Sequence, residues 1–99
     1  MMRMIHVNVK LIGDLRGLSG KKSLRVEIQE PAMIDDAIKK LIEAIDKEEF
    51  KRAILDEVTG NANPNIIILL NGREIKTLGL STQLKDADEL VFIPAAHGG

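Results

Sequence analysis

The sequence predicts a single α+β domain in which a mixed sheet wraps one main helix. Period-2 alternation of apolar residues marks two runs within the first thirty positions, with Ile5, Val7, Val9 and Leu11 in one and Leu24, Val26 and Ile28 in the other. A 3.6-period stripe runs through Ile34, Ala37, Ile38, Leu41, Ile42 and Ile45, the apolar face of an amphipathic helix. A second strand pair is marked by Asn71-Gly72, because both central residues of a type I′ hairpin turn need positive φ.

The first strand carries His6, Asn8, Lys10 and Ile12 on its outward face. Gly13, Gly17 and Gly20 punctuate a long loop ending in Lys21-Lys22 before the second strand, which gives a hairpin with a long connection. Pro31 closes that strand. The helix then opens with Asp35 and Asp36 in its first turn and ends near Lys47, both signs favoured by the helix dipole. Phe50, Ile54 and Val58 have i+4 spacing, which fits a second short helix as far as Leu55; strand and loop remain open for residues 48–58. Residues 59–64 form a loop, and Ile66 to Leu70 a strand apolar on both faces. A short return strand follows from Arg73 to Lys76. Leu78, Leu80 and Leu84 pin an irregular loop to the core, and Asp86-Ala87-Asp88 turns into a last strand, Glu89 to Pro94. Two hairpins flanking a helix in so small a chain is the pattern of a β-grasp, with a domain over residues 1–94 and a flexible C-terminal tail over 95–99.

Composition narrows the chemistry. The chain has 99 residues, 14 Lys plus Arg against 15 Asp plus Glu, two His and no Cys, Trp or Tyr. A net charge of −1 provides no field to attract nucleic acid or anionic lipid, so neither partner is expected. Without Cys there is no disulfide framework, thiolate metal site or cysteine nucleophile, and two His leave little for metal binding. The N-terminal apolar stretch is interrupted by Arg3, His6, Asn8 and Lys10, so neither a signal peptide nor a membrane span is expected, and the chain reads as a cytoplasmic domain. No nucleophile–base pair or phosphate-cradling loop appears, and the three loop glycines fit neither the P-loop nor the dinucleotide pattern.

The remaining chemical feature is the terminal Gly98-Gly99, three residues after the last strand. Such a tail lacks side-chain bulk, so its carboxylate could thread a narrow channel into a partner's active site. That α-carboxylate, with a pKa of about 3.5, is ionised and unreactive until activated.

Asn71-Gly72-Arg73-Glu74-Ile75, then the run from Leu84 to Pro94, then Gly98-Gly99, resemble the MoaD/ThiS family of ubiquitin-like sulfur carriers. Leu15-Arg16-Gly17-Leu18-Ser19-Gly20 also resembles the family's first loop, so the likeness covers nearly the whole chain. Ala87 stands where the family has Gly, and the turn is expected to manage without positive φ. Ala95, Ala96 and His97 replace a more typical Pro-Val-Ser or Pro-Val-Thr.

The resemblance implies that a ubiquitin-activating-type adenylyltransferase (MoaB/MoeB-like) uses ATP and Mg to adenylate the Gly99 carboxylate. A sulfur donor then converts the adenylate to a thiocarboxylate. The acceptor implied is the large subunit of molybdopterin synthase (MoaE-like), in molybdenum cofactor biosynthesis. The alternatives are a protein modifier joined to lysines through Gly99, a tRNA- or thiamine-type sulfur carrier, and a non-reactive interaction module. Gly98 and His97 lie in the threading tail. Ile12 and Ile93 occupy positions where relatives carry exposed aromatics that dock on partners, and Arg16 and Arg73 are candidates for contact with an acidic partner surface. By alternation Val91 and Ile93 face outward with Ile12, joined by one of the two sets of the all-apolar strand, which makes an apolar patch on the sheet. No metal ligand and no stably bound cofactor is expected.

Overall fold

The computed structural model describes residues 3–78 and 81–95. Its first strand, β1 (Met4–Leu11), buries Ile5, Val7, Val9 and Leu11 on one face, as the alternation requires. It pairs antiparallel with β2 (Ser23–Gln29), placing Val7 opposite Val26 and Ile5 opposite Ile28. On its other side β1 runs parallel to β5 (Glu89–Pro94), with Val9 beside Leu90 and Leu11 beside Phe92. The next strand, β3 (Ile66–Leu70), is antiparallel to β5, and the two-residue β4 (Arg73–Glu74) closes the sheet in the order β2-β1-β5-β3-β4. Parallel strands at the centre and antiparallel strands on either side, wrapped on one helix, make the β-grasp.

That helix is α2 (Ile34–Ile45), and its stripe of Ile34, Ala37, Ile38, Leu41 and Ile45 is buried. Each Ile or Leu so buried contributes about 1.5–3 kcal/mol relative to an exposed position. The Asp36 carboxylate accepts a 2.8 Å hydrogen bond from the Met33 backbone N–H, satisfying a donor at the helix start. A second helix, α3 (Glu48–Ile54), puts Phe50 and Ile54 into the same core.

Several local expectations are corrected. The loop between β1 and β2 holds a short helix, α1 (Asp14–Ser19), which buries Leu15 and is bounded by Gly13 and Gly20 at φ +63° and +76°. Two of the three loop-punctuating glycines, Gly13 and Gly20, are thus the ends of a helical turn and Gly17 lies within it; Gly20 adopts the left-handed conformation that terminates helices. Val58 does not continue the α3 stripe. Asp56 accepts hydrogen bonds from the N–H groups of Val58 and Thr59 at 2.8 and 3.1 Å, and this side-chain turn leaves Val58 93% exposed. The return strand stops at Glu74, because Ile75 turns into the core and begins α4 (Ile75–Leu78). Leu84 is buried as expected; Leu80 lies outside the described residues, as does the side chain of Leu78.

The two tight turns bear directly on the sheet. Asn71 and Gly72 both have positive φ, +50° and +86°, as the type I′ reading requires. Ala87 also has positive φ, +70°, contrary to the expectation that an alanine there avoids it. Asp88 N–H donates to the Lys85 carbonyl at 3.1 Å, so Ala87 is the third residue of a β-turn whose geometry favours glycine. Hydrogen bonds from Ala87 N–H to the His6 carbonyl and from His6 N–H to Asp86 Oδ1, both 2.8 Å, bind the turn to β1. Asn71 joins the two turns: its amide donates to Asp88 Oδ1 and its carbonyl oxygen accepts from Glu89 N–H, each at 2.9 Å.

Candidate functional site

The sheet has two faces, and the pairing register assigns each residue to one. Leu90 and Phe92 are fully buried toward the helices, with Leu70 and Ile68 as their cross-strand partners. Their neighbours Val91 and Ile93 therefore face away, and their partners are Leu69 and Ile67. This settles which set of the all-apolar strand points outward. Ile12 follows β1, and its N–H donates to the Phe92 carbonyl at 3.0 Å. Carried on by one residue, the parallel register sets Ile12 beside Ile93. Ile12, Ile67, Leu69, Val91 and Ile93 thus form a contiguous apolar surface, each member half-buried. The alternative cover, the segment after Phe50, is not on this face: α3 packs against α1 and α2.

The tail leaves the fold at one end of this surface. Ala95 is the last described residue, and its N–H donates to the Asn65 carbonyl at 2.7 Å. Pro94 cannot donate to the ladder, which suits the last position of β5. Beside it Gly13 has φ +63° and ψ −139°, a region reserved for glycine, and a methyl on Gly13 would lie 3.5 Å from Pro94 Cγ. Glycine thus lets the chain turn out of β1 directly against the base of the tail.

Arg16, on α1, donates from Nε to the Leu11 carbonyl at 2.8 Å, so its exposed guanidinium is tethered next to Ile12. Arg73 is exposed on β4 opposite Leu70, which pairs with Leu90 at the start of β5. The structure therefore gathers Ile12, Arg16 and Ile93 at the tail end of the sheet and sets Arg73 at the opposite end. His97, Gly98 and Gly99 lie outside the described residues.

Elsewhere on the outward face, His6 Nε2 is 3.0 Å from Glu27 Oε1, and its Nδ1 is 3.6 Å from Asp86 Oδ1. The Asp86 carboxyl is held below its ordinary pKa, first by the hydrogen bond from His6 N–H and then, against a smaller desolvation effect, by the charges of His6 and Arg3. Among the described residues no cluster of three or more His, Asp or Glu is arranged to hold a metal, and no helix is long and apolar enough to cross a membrane.

Sequence reasoning missed one residue that bears on the tail. Asn63 ties the loop after α3 to the start of β3 through both its side chain and its backbone. The available signal was Asn63-Pro64-Asn65, since Asn side chains hydrogen-bond their own backbone two residues on.

The model of the ThiS family matches residues 9–99. Among solved structures, small archaeal modifier protein 1 from Methanosarcina acetivorans is 31% identical, with a TM-score of 0.83 over 98% of this chain and 99% of that one. The modifier protein 1 of Haloferax volcanii is 26% identical, with a TM-score of 0.83 over 95% and 99% of the two chains. A Pyrococcus furiosus protein provisionally assigned as molybdopterin converting factor, subunit 1, is 27% identical, with a TM-score of 0.73 over 93% and 99%. A search of curated proteins finds no match. The β-grasp sheet, the apolar face beside the tail exit and a family match reaching Gly99 agree: the chain belongs to the ThiS family of ubiquitin-like sulfur carriers and modifiers.

Proposed function

We propose that this protein is a sulfur carrier whose Gly99 carboxylate is adenylated and then thiocarboxylated, serving as the small subunit of a molybdopterin synthase. The observation that carries the proposal is the family match running to Gly99 on a fold whose last strand ends beside an apolar docking face. A free carboxylate has no leaving group. Attack of its oxygen on the α-phosphorus of MgATP, bound by a ubiquitin-activating-type partner, would form the acyl-adenylate and release pyrophosphate. A sulfur nucleophile would then displace AMP at the carbonyl carbon, leaving –C(=O)–S⁻. The large synthase subunit would draw sulfur from that group, with water returning the terminus to a carboxylate. In this reading Ile12 and Ile93 give the partner enzymes a non-polar contact, and Arg16 offers a cation to an acidic rim.

The likeness to the two archaeal modifier proteins favours a second reading, in which a substrate lysine amine attacks the same adenylate and displaces AMP to form an isopeptide. Intact-mass spectrometry after incubation with the activating enzyme, ATP and a sulfide source separates the two. Replacement of one oxygen by sulfur at the terminus supports the carrier. Larger adducts bearing Gly-Gly on lysine support the modifier. Neither product, with function retained after deletion of Gly99, refutes terminal chemistry altogether.

A further inference from the structure

We propose that Asn63 is a positioning residue that sets where the reactive tail leaves the fold, a role that rests on the terminal chemistry above. Asn63 is half-buried and makes four hydrogen bonds in a loop of otherwise mostly exposed residues. Two reach back to α3: its side-chain Nδ2 donates to the Ala53 carbonyl at 3.2 Å, and its backbone N–H to the Ile54 carbonyl at 2.7 Å. Two reach forward: its carbonyl accepts from Ile66 N–H at 3.0 Å, and its Oδ1 from Asn65 N–H at 2.9 Å. Asn65 is the residue whose carbonyl holds Ala95 N–H. The chain of contacts runs from the buried helix α3 through Asn63 to Asn65 and ends at the base of the tail. Pro64, with its fixed φ, stiffens the middle of that path.

The consequence is a defined length of thread. Held at Ala95, the chain has four further residues, with a reach of at most about 14 Å. Released from Asn65, the main chain is next held where Ile93 pairs with Ile67, and six residues hang beyond it. For the flexible tail that the sequence predicts, effective concentration at a partner's site falls as the −3/2 power of length. Lengthening from four to six lowers it about two-fold before any loss of direction is counted. The docking face is untouched by this change, because Asn63 is outside it.

The test compares wild type with Asn63→Ala and Asn63→Asp; the aspartate keeps the acceptor for Asn65 and loses the donor to Ala53. Amide hydrogen exchange measured by NMR is expected to quicken about tenfold at Ala95 and Asn65 in Asn63→Ala, and less in Asn63→Asp. In ATP–pyrophosphate exchange with the activating enzyme, this protein is the substrate. A displaced tail lowers kcat at least two-fold with KM unchanged. Partial unfolding would instead deplete the substrate, raising KM with kcat unchanged. Unaltered exchange at Ala95, or a KM effect alone, overturns the proposal. If Asn63→Ala fails to fold, Asn63→Asp carries both readouts. Amide exchange needs no activating enzyme, so a wild-type chain that is never adenylated refutes the terminal chemistry while the anchoring of Ala95 is still decided.

Discussion

Replacing Ala87 by glycine removes a methyl group from an exposed turn residue held at φ +70°. In that region Cβ crowds the following carbonyl oxygen, at a cost of about 1–2 kcal/mol for a non-glycine residue. Glycine removes that cost but gains freedom in the unfolded chain, which offsets about 0.4–1 kcal/mol. No packing is lost, and the hydrogen bond from residue 87 N–H to the His6 carbonyl is a backbone contact that glycine keeps. The net expectation is a gain of about 0.5–1 kcal/mol, which for a domain of this size raises Tm by roughly 2–8 °C. With no Trp or Tyr in the chain, far-ultraviolet circular dichroism during thermal and urea unfolding is the suitable probe. The urea midpoint should rise with the m value unchanged. An unchanged or lowered Tm for Ala87→Gly would refute the reasoning, because the turn would then not be storing strain at this position.

The reverse substitution at Gly13 should do the opposite. Gly13→Ala forces a side chain into a glycine-only backbone region beside Pro94 and is expected to cost about 1–3 kcal/mol, read as a lowered urea midpoint. Asp86 predicts a pH effect. Because its pKa is lowered in the fold, its contribution is present above the unfolded value of about 3.9 and is lost as pH falls through the folded value. Asp86→Asn should therefore flatten the fall in urea midpoint on acidification below about pH 4 and leave the two proteins more alike at lower pH. Under the proposed function, Ile93→Asp places a charge at the tail end of the apolar face, between Ile12 and Ile67, and should weaken binding to the activating enzyme at least about tenfold by calorimetry, whereas Arg73→Ala, at the other end of the sheet, should change it little.

Local pattern located the alternating β1 and β2, the stripe of α2, the Asn71-Gly72 turn and the strand ending at Pro94. In each, one local repeat or one turn dipeptide states the backbone geometry without help from distant residues. The terminal Gly98-Gly99, on which the proposed chemistry rests, is likewise read from the chain itself. What local pattern could not settle depended on contacts far apart in sequence. The helical turn at Asp14–Ser19 forms because Leu15 finds the core, and the return strand ends early because Ile75 does the same. Ala87 accepts positive φ because bonds to His6 and Lys85 fix the turn from both sides. Alternation left two choices for the outward side of β3, and only its pairing with β5 selected Ile67 and Leu69 to join Ile12, Val91 and Ile93. Of the two arginines that looked equivalent in sequence, the sheet order brings Arg16 to the tail and carries Arg73 away from it. Side-chain repeats are local, whereas register, strand order and the bond from Ala95 N–H to the Asn65 carbonyl arise from long-range pairing, so the Gly-Gly end was legible in the sequence and the apolar surface beside the last strand was not.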